Sequence, residues 1–225
     1  MNHIKNVLRC QKDEHIEICN SETSKNYLCE INKIEKEKIE CNILENLRSN
    51  VETDIKVTIF QGLPKADKME YIIQKSVELG VYDITPVEMK RCIVKLNEKD
   101  KEKKIQRWQK IAEVAAKQCK RDIIPKINNI TNVKLICNIM QNYDIILVAY
   151  EKEKERTLKS ELKKIKEYNQ KNIGIIIGPE GGLEEDDVKL LEESGAKVIT
   201  LGNRILRTET VALNVLSNIM YELEI

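Results

Sequence analysis

Two short segments hold the residue types that could do chemistry. The first, Gly178-Pro179-Glu180-Gly181-Gly182, follows the apolar run Ile173–Ile177. The second starts at Leu201-Gly202-Asn203-Arg204-Ile205 and continues through Leu206-Arg207-Thr208-Glu209 to Thr210. Three glycines in five residues allow a backbone to approach a ligand closely. The spacing excludes two common phosphate loops: no Gly-Lys-Ser/Thr follows, and Gly-x-Gly-x-x-Gly is missing. The next helix is expected to begin with Glu184, Glu185, Asp186 and Asp187. Those carboxylates complement the positive helix terminus and would repel an anion, so the loop suits a neutral or cationic ligand. A tight strand-to-helix turn with a charged helix start has the same composition, and the residues leave both readings open. In the second segment, Arg204 and Arg207 are displayed between a strand and a helix, with Thr208 as the expected N-cap. Either arginine could instead pair with Glu184–Asp187, a pairing that suits Arg204 better than Arg207.

The flanking elements put both segments at one edge of a sheet. Asp144–Ala149, Ile173–Ile177 and Lys197–Leu201 are nearly all apolar, as strands covered by helices on both faces are. Ligands of open α/β sheets bind beyond the carboxyl ends of such strands. Lys56–Phe60 reads as a further strand. A helix then carries Met69, Ile72, Ile73, Ser76 and Val77 on one face and ends at Gly80. Residues 98–119 read as a long helix with Ile105, Trp108, Ile111, Ala112 and Ala115 inward. A closing helix runs from about Thr208 to Leu223. Residues 56–225 are thus an α/β domain with a mostly parallel sheet. Residues 1–55 differ: Glu14–Ile18, Tyr27–Ile31 and Lys38–Ile43 alternate polar and apolar, predicting short half-buried strands of a small barrel or antiparallel sheet. The charged stretch Glu151–Arg156 reads as a solvated turn.

Composition narrows the class without choosing a partner. Apolar residues make up 41%, enough for a real core, while 38 basic and 37 acidic residues nearly cancel. Only local clustering could then point to nucleic acid. Basic residues do cluster: Lys65 and Lys68, then Lys90, Arg91 and Lys95, then Arg107, Lys110, Lys117, Lys120 and Arg121. Such a stripe can follow an RNA backbone, although a solvated helix face is the default for any single lysine. Arg91 stands out because it is expected to end a strand beside Cys92-Ile93-Val94. Seven cysteines, none spaced as zinc ligands, fit a reducing cytosol and no metal. No apolar run has the length of a membrane helix or a signal peptide, so a soluble, cytoplasmic protein is expected. His3 and His15 have no partners that suggest chemistry.

The two loops together resemble one family. GPEGG followed by Leu201-Gly202-x-Arg204-Ile205-Leu206-Arg207-Thr208-Glu209-Thr210-x-Ala212 is similar to the RsmE family, SPOUT-class 16S ribosomal RNA (uridine N3) methyltransferases. Lys65-x-Asp67-Lys68-Met69-Glu70, Glu78-Leu79-Gly80-Val81, Arg91-x-x-Val94-Lys95 and Arg107-Trp108-Gln109-Lys110-Ile111-Ala112 match it in order. The N-terminus matches more weakly, through His3-Ile4-x-x-Val7-Leu8-Arg9. Family members usually carry another strand or so before that segment. A truncated chain, a late-assigned start or a reduced barrel is therefore expected.

The resemblance implies a SPOUT trefoil-knot methyltransferase domain, against the strong general prior for unknotted chains, and a small N-terminal PUA-like β-barrel. It implies S-adenosylmethionine as cofactor; its sulfonium is a cationic ligand of the kind the first loop suits. The partners implied are 16S rRNA or the small ribosomal subunit and a second copy of the chain, in a homodimer with sites near the subunit interface. Gly178, Pro179, Glu180 and Gly181 would surround the ribose and methionine moieties. The backbone of Leu201, Gly202, Ile205 and Leu206 would hold the adenine, with Arg207 and Thr210 also at the cofactor. Arg207 would stabilise the developing uridine anion, and Glu180 or Glu209 would accept its proton. Arg9, Lys65, Lys68, Arg91 and Lys95 would contact RNA. Rival readings are a SPOUT ribose 2′-O methyltransferase and a non-catalytic RNA-binding ribosome-assembly factor. A nucleotide-binding α/β protein is a third, which the absent phosphate-loop spacing disfavours.

Overall fold

The computed structural model describes residues 4, 8–20, 23, 25–48 and 51–224. His3 and Val7, two of the N-terminal residues that resemble the family, lie outside the described residues. The chain divides into two units, Met1–Glu52 with Lys120–Ile124, and Thr53–Cys119 with Pro125–Ile225.

In the first unit, β1 (His15–Asn20), β2 (Lys25–Ile34) and β3 (Ile39–Leu47) form an antiparallel sheet in the order β1-β2-β3. The period-two pattern is expressed directly: Ile16 and Ile18 are half-buried between exposed neighbours, and Cys29 and Ile31 are buried. The β2–β3 register shifts at Leu28/Cys29 and at Ile31/Lys33, irregularities that bend a strand and increase its twist. Among the described residues β1 and β3 do not pair, and the three strands form an antiparallel sheet, one of the two arrangements expected. Residues 120–124 return to this unit through Glu52, whose carboxylate accepts from Arg121 Nη2 at 2.6 Å and from the Asp122 N–H at 2.9 Å.

The second unit runs β4 (Lys56–Gly62), α1 (Lys68–Glu78), β5 (Asp83–Glu88), α2 (Glu98–Gln118), β6 (Lys126–Ile127), β7 (Thr131–Asn132), α3 (Val133–Cys137), β8 (Ile145–Ala149), α4 (Leu158–Glu167), β9 (Asn172–Ile177), α5 (Glu185–Glu193), β10 (Lys197–Ile199) and α6 (Thr208–Leu223). Its sheet has the order β10-β8-β9-β4-β5-β6, with β7 also on β5, and every pairing is parallel. Both β4 and β9 are buried at every position after their first residue; for β9 this is why it reads as a continuous apolar run, while β4 buries Thr58 and Gln61 as well. A parallel sheet needs cover on both faces. The helices form two groups: α1 packs on α2 and α6, with α6 also on α4, while α3 packs on α5. The five residues expected on the inner face of α1 are all buried. In α2, Trp108, Ala112 and Ala115 are buried as expected, joined by Ala116, while Ile105 and Ile111 are half-buried.

Strand order departs from chain order in the way that builds the site. β9 inserts between β8 and β4, and β10 takes the edge beyond β8. The chain then returns from that edge, because Thr208, the first residue of α6, meets both Gln61 of β4 and Gly178 after β9. The connection after β10 is thereby drawn over the carboxyl ends of β8 and β9, a re-entrant path of the kind a knotted chain requires. One correction concerns Arg91: β5 ends at Glu88, so Arg91 lies in the irregular segment after the strand and does not terminate it.

Candidate active site

Both loops sit at the carboxyl ends of parallel strands and share one cavity of about 560 Å3. From the first loop Gly178, Pro179, Glu180 and Gly181 face it; from the second, Leu201, Gly202, Ile205, Leu206 and Arg207 do. Gly62, at the end of β4, holds the first loop close. A Cβ there would fall 2.7 Å from Pro179 Cδ, so no larger residue fits without moving the loop. A buried hydroxyl joins the two loops. Thr208 Oγ1 donates to the Gly178 carbonyl at 2.7 Å and accepts from Gln61 Nε2 at 2.8 Å. Thr208 is thus not the N-cap expected from sequence. Arg207 takes that position with extended backbone, and the Thr208 hydroxyl bonds across the chain instead of to its own helix.

The two carboxylates expected as alternative proton acceptors converge on one cation. Lys68 Nζ lies 3.0 Å from Glu180 Oε1 and 3.2 Å from Glu209 Oε2. The Lys65 N–H donates to Glu180 Oε1 at 3.1 Å. Burial pushes the Glu180 carboxyl up, but its own N–H, the Lys68 ammonium and the Lys65 N–H outweigh that and hold it below the usual range. The same pairing, chiefly with Glu180, raises Lys68. Glu180 is therefore an ionised, weakly basic group. Lys68, expected on RNA, is instead tied inside the site, because the return of α6 brings Glu209 to the first turn of α1.

Arg91 was also expected on RNA and is likewise engaged. Its Nε donates to Glu184 Oε1 at 2.8 Å and its Nη1 to the Gly181 carbonyl at 3.0 Å, bracing the first loop from outside. The other carboxylates at the start of α5 also have cations: Lys152 pairs with Glu185, and Lys90 lies 3.4 Å from Asp186. Their negative field is largely compensated, so they repel an anion less than the sequence suggested. Neither Arg204 nor Arg207 pairs with this run. Both are exposed, and both face the cavity without an ion pair among the described residues.

Two further corrections follow. Thr210 is exposed on the first turn of α6 and does not face the cavity; Val211 and Thr208 do. The helical step after Arg207 rotates Thr210 outward. The stretch Glu151–Arg156 is more than a solvated turn, since Tyr150, Glu151 and Lys154 line the cavity beyond β8. The rule that found the first two loops, applied to the carboxyl end of β8, would have found this one. Arg9, Lys65 and Lys95 are exposed. Among the described residues no group of three or more His, Cys, Asp or Glu could hold a metal ion, and no helix is long and apolar enough to cross a membrane.

Known proteins share this arrangement. A family model described as an RNA methyltransferase domain matches residues 51–220, and one described as an RNA methyltransferase PUA domain matches residues 1–44. The chain belongs to this RNA methyltransferase family. It is 39% identical to the ribosomal RNA small subunit methyltransferase E of Bacillus subtilis, over all of this chain and 88% of that protein. It is 35% identical to the protein of the same name from Mesomycoplasma hyopneumoniae, over 96% of this chain and 89% of the relative. Among solved structures, the ribosomal RNA small subunit methyltransferase E of Neisseria gonorrhoeae bound to S-adenosyl methionine superposes with a TM-score of 0.85. It is 30% identical and covers 97% of this chain and 87% of its own. The RsmE resemblance read from GPEGG and LGNRILRTET, and the SPOUT-type α/β class it implied, are both borne out.

Proposed function

We propose that this methyltransferase transfers a methyl group from S-adenosylmethionine to N3 of a uridine in the decoding region of 16S rRNA. It would do so as a cytoplasmic homodimer acting on the rRNA or the small subunit. The observation that carries the reading is the division of charge within one cavity. Glu180 is tied at the cavity wall to Lys68, which Glu209 holds from outside the cavity, while Arg207 faces the same space untied. The names of the relatives and the cofactor in the Neisseria structure support the RNA substrate and the methyl donor.

The residues fit that cofactor. A cavity of about 560 Å3 lies within the roughly 300–1,000 Å3 of small-molecule sites. Among the described residues, no intramolecular hydrogen bond occupies the main-chain groups of Leu201, Ile205 or Leu206, so they are available to an adenine edge. When bound, the cofactor supplies a methyl group on a sulfonium, which departs as a neutral thioether. The chain does the rest by positioning and electrostatics. N3 of uridine carries a proton and is a poor nucleophile until that proton leaves. Arg207 stabilises the resulting uridine anion. Glu180, held ionised by Lys68, is a weak base but a far stronger one than water, so it is the acceptor for that proton. N3 lies on the pairing edge, so the target uridine must be unpaired or extruded. Arg9, Lys65 and Lys95 remain the candidates for RNA contact.

The test is nucleoside mass spectrometry of rRNA from a strain lacking the gene, with purified protein added back. Loss of 3-methyluridine from small-subunit RNA and its return on addition is expected. Unchanged 3-methyluridine, or loss of a ribose methyl group instead, would overturn the assignment.

A further inference from the structure

The cavity holds charged groups that the two glycine- and arginine-bearing loops do not explain. Glu151 and Lys154 lie in the turn after β8, three residues apart, and both line the cavity. Unlike Lys68 and Glu180, neither side chain makes an ion pair among the described residues: Lys154 Nζ reaches only the Glu151 carbonyl, at 3.4 Å, and the Arg91 guanidinium acts on the Glu151 carboxylate only at longer range. The Glu151 carboxylate also faces the first loop. Its Oε1 would lie 3.0 Å from a Cβ at Gly182, whose φ is +71°. A side chain at 182 would be backbone-strained and would also push on that carboxylate, so glycine keeps the space in front of Glu151 open.

A carboxylate and an ammonium on one turn, neither of them in an ion pair, match a ligand that carries the opposite pair on a single carbon. An α-amino acid group is such a ligand. We infer that the Glu151–Lys154 turn is the third wall of the cofactor site and binds the amino-acid end of S-adenosylmethionine, with Glu151 on its ammonium and Lys154 on its carboxylate. This rests on the cofactor proposed above. It assigns to side chains a part of the ligand that the glycines of the first loop can contact only through backbone. Both interactions are charge-assisted hydrogen bonds, the stronger kind. Both form with the methylated and the demethylated cofactor alike, because the amino-acid end does not change during transfer.

The test is calorimetric binding to Glu151→Gln and Lys154→Met with four ligands. These are S-adenosylmethionine, S-adenosylhomocysteine, decarboxylated S-adenosylmethionine and 5′-methylthioadenosine, which lacks the amino-acid end. Each variant should bind the first two on the order of ten-fold more weakly than wild type, with equal losses for both. Affinity for methylthioadenosine should be unchanged in both variants. The decarboxylated ligand should lose affinity with Glu151→Gln but not with Lys154→Met. Unchanged affinity for S-adenosylmethionine in both variants overturns the inference, as does an equal loss for methylthioadenosine. A loss confined to the sulfonium ligands also overturns it, since Glu151 would then be reading the sulfonium charge. Wild-type protein that binds none of the four would instead overturn the cofactor reading on which it rests.

Discussion

Replacing Thr208 by valine keeps the size and branching of the side chain and removes one hydroxyl. That hydroxyl is buried, donates to the Gly178 carbonyl at 2.7 Å and accepts from Gln61 Nε2 at 2.8 Å. Gln61 keeps its second bond, to the Gly62 carbonyl at 3.0 Å, so the larger loss falls on Gly178. A buried polar group stripped of its partner costs about 1–3 kcal/mol, and a value near 2 is expected because Gly178 is half-buried and water can partly replace the bond. For a unit of this size that is a fall in Tm of about 4–8 °C. Gly178 would also be released from α6, so cofactor affinity should fall several-fold. Thermal unfolding and calorimetric binding of Thr208→Val beside Thr208→Ser would decide the point. Serine keeps the hydroxyl and loses the methyl, so it should retain affinity better than valine. A valine variant with wild-type Tm and affinity beside a weaker serine variant would refute the reasoning, because packing alone would then hold the loops together.

Arg91→Ala should weaken cofactor binding by unbracing Gly181 and Glu184, while the salt dependence of RNA binding stays as in wild type. A slope lower by about 0.7, one lost phosphate contact on a single strand, would return Arg91 to the RNA. Lys68→Met should leave Glu180 without its cation. A carboxyl held below its usual range contributes stability that is present above its unfolded pKa and lost as pH falls through the folded value. The Tm difference between wild type and this variant should therefore shrink below about pH 4; a difference constant with pH would mean that Lys68 acts by packing. Asp83 is the opposite case. Burial raises its carboxyl against hydrogen bonds from Thr58 and Asn128, and its Oδ1 has no hydrogen-bond partner. A raised carboxyl loses stability as pH rises from its unfolded value, about 3.9, through the folded one. Asp83→Asn should accordingly gain in Tm over wild type as pH rises and match it in acid.

The sequence announced whatever depends on local pattern. The apolar runs of β8 and β9, the buried face of α1 and the position of both loops at a sheet edge follow from periodicity and from where ligands bind in parallel sheets. What was hidden depends on which elements the strand order brings together. Lys68, Glu180 and Glu209 are far apart in the chain and meet only because α6 returns beside β4. No spacing rule links them, so Lys68 read as one more surface cation. Arg91 was misplaced for a related reason: its partner carbonyl lies ninety residues away in the chain. Thr208 had the residue type of an N-cap, but a buried acceptor from another element outcompeted its own helix. Glu151 and Lys154 were overlooked because charged residues in a turn default to solvent; only the parallel pairing of β8 between β9 and β10 marks that turn as part of the site.

The central claim is that Arg207 drives methylation of uridine N3 in a pocket built by these loops. The most direct measurement combines purified protein, small-subunit rRNA and S-adenosylmethionine carrying an isotopic methyl label, followed by nucleoside mass spectrometry. Wild type should place the label on N3 of uridine. Arg207→Ala, with its fold and cofactor affinity retained, should do so about 10²–10³-fold more slowly, the loss seen when a group that stabilises developing charge is removed. Label on a ribose oxygen, or a folded Arg207→Ala that works at the wild-type rate, would contradict the account.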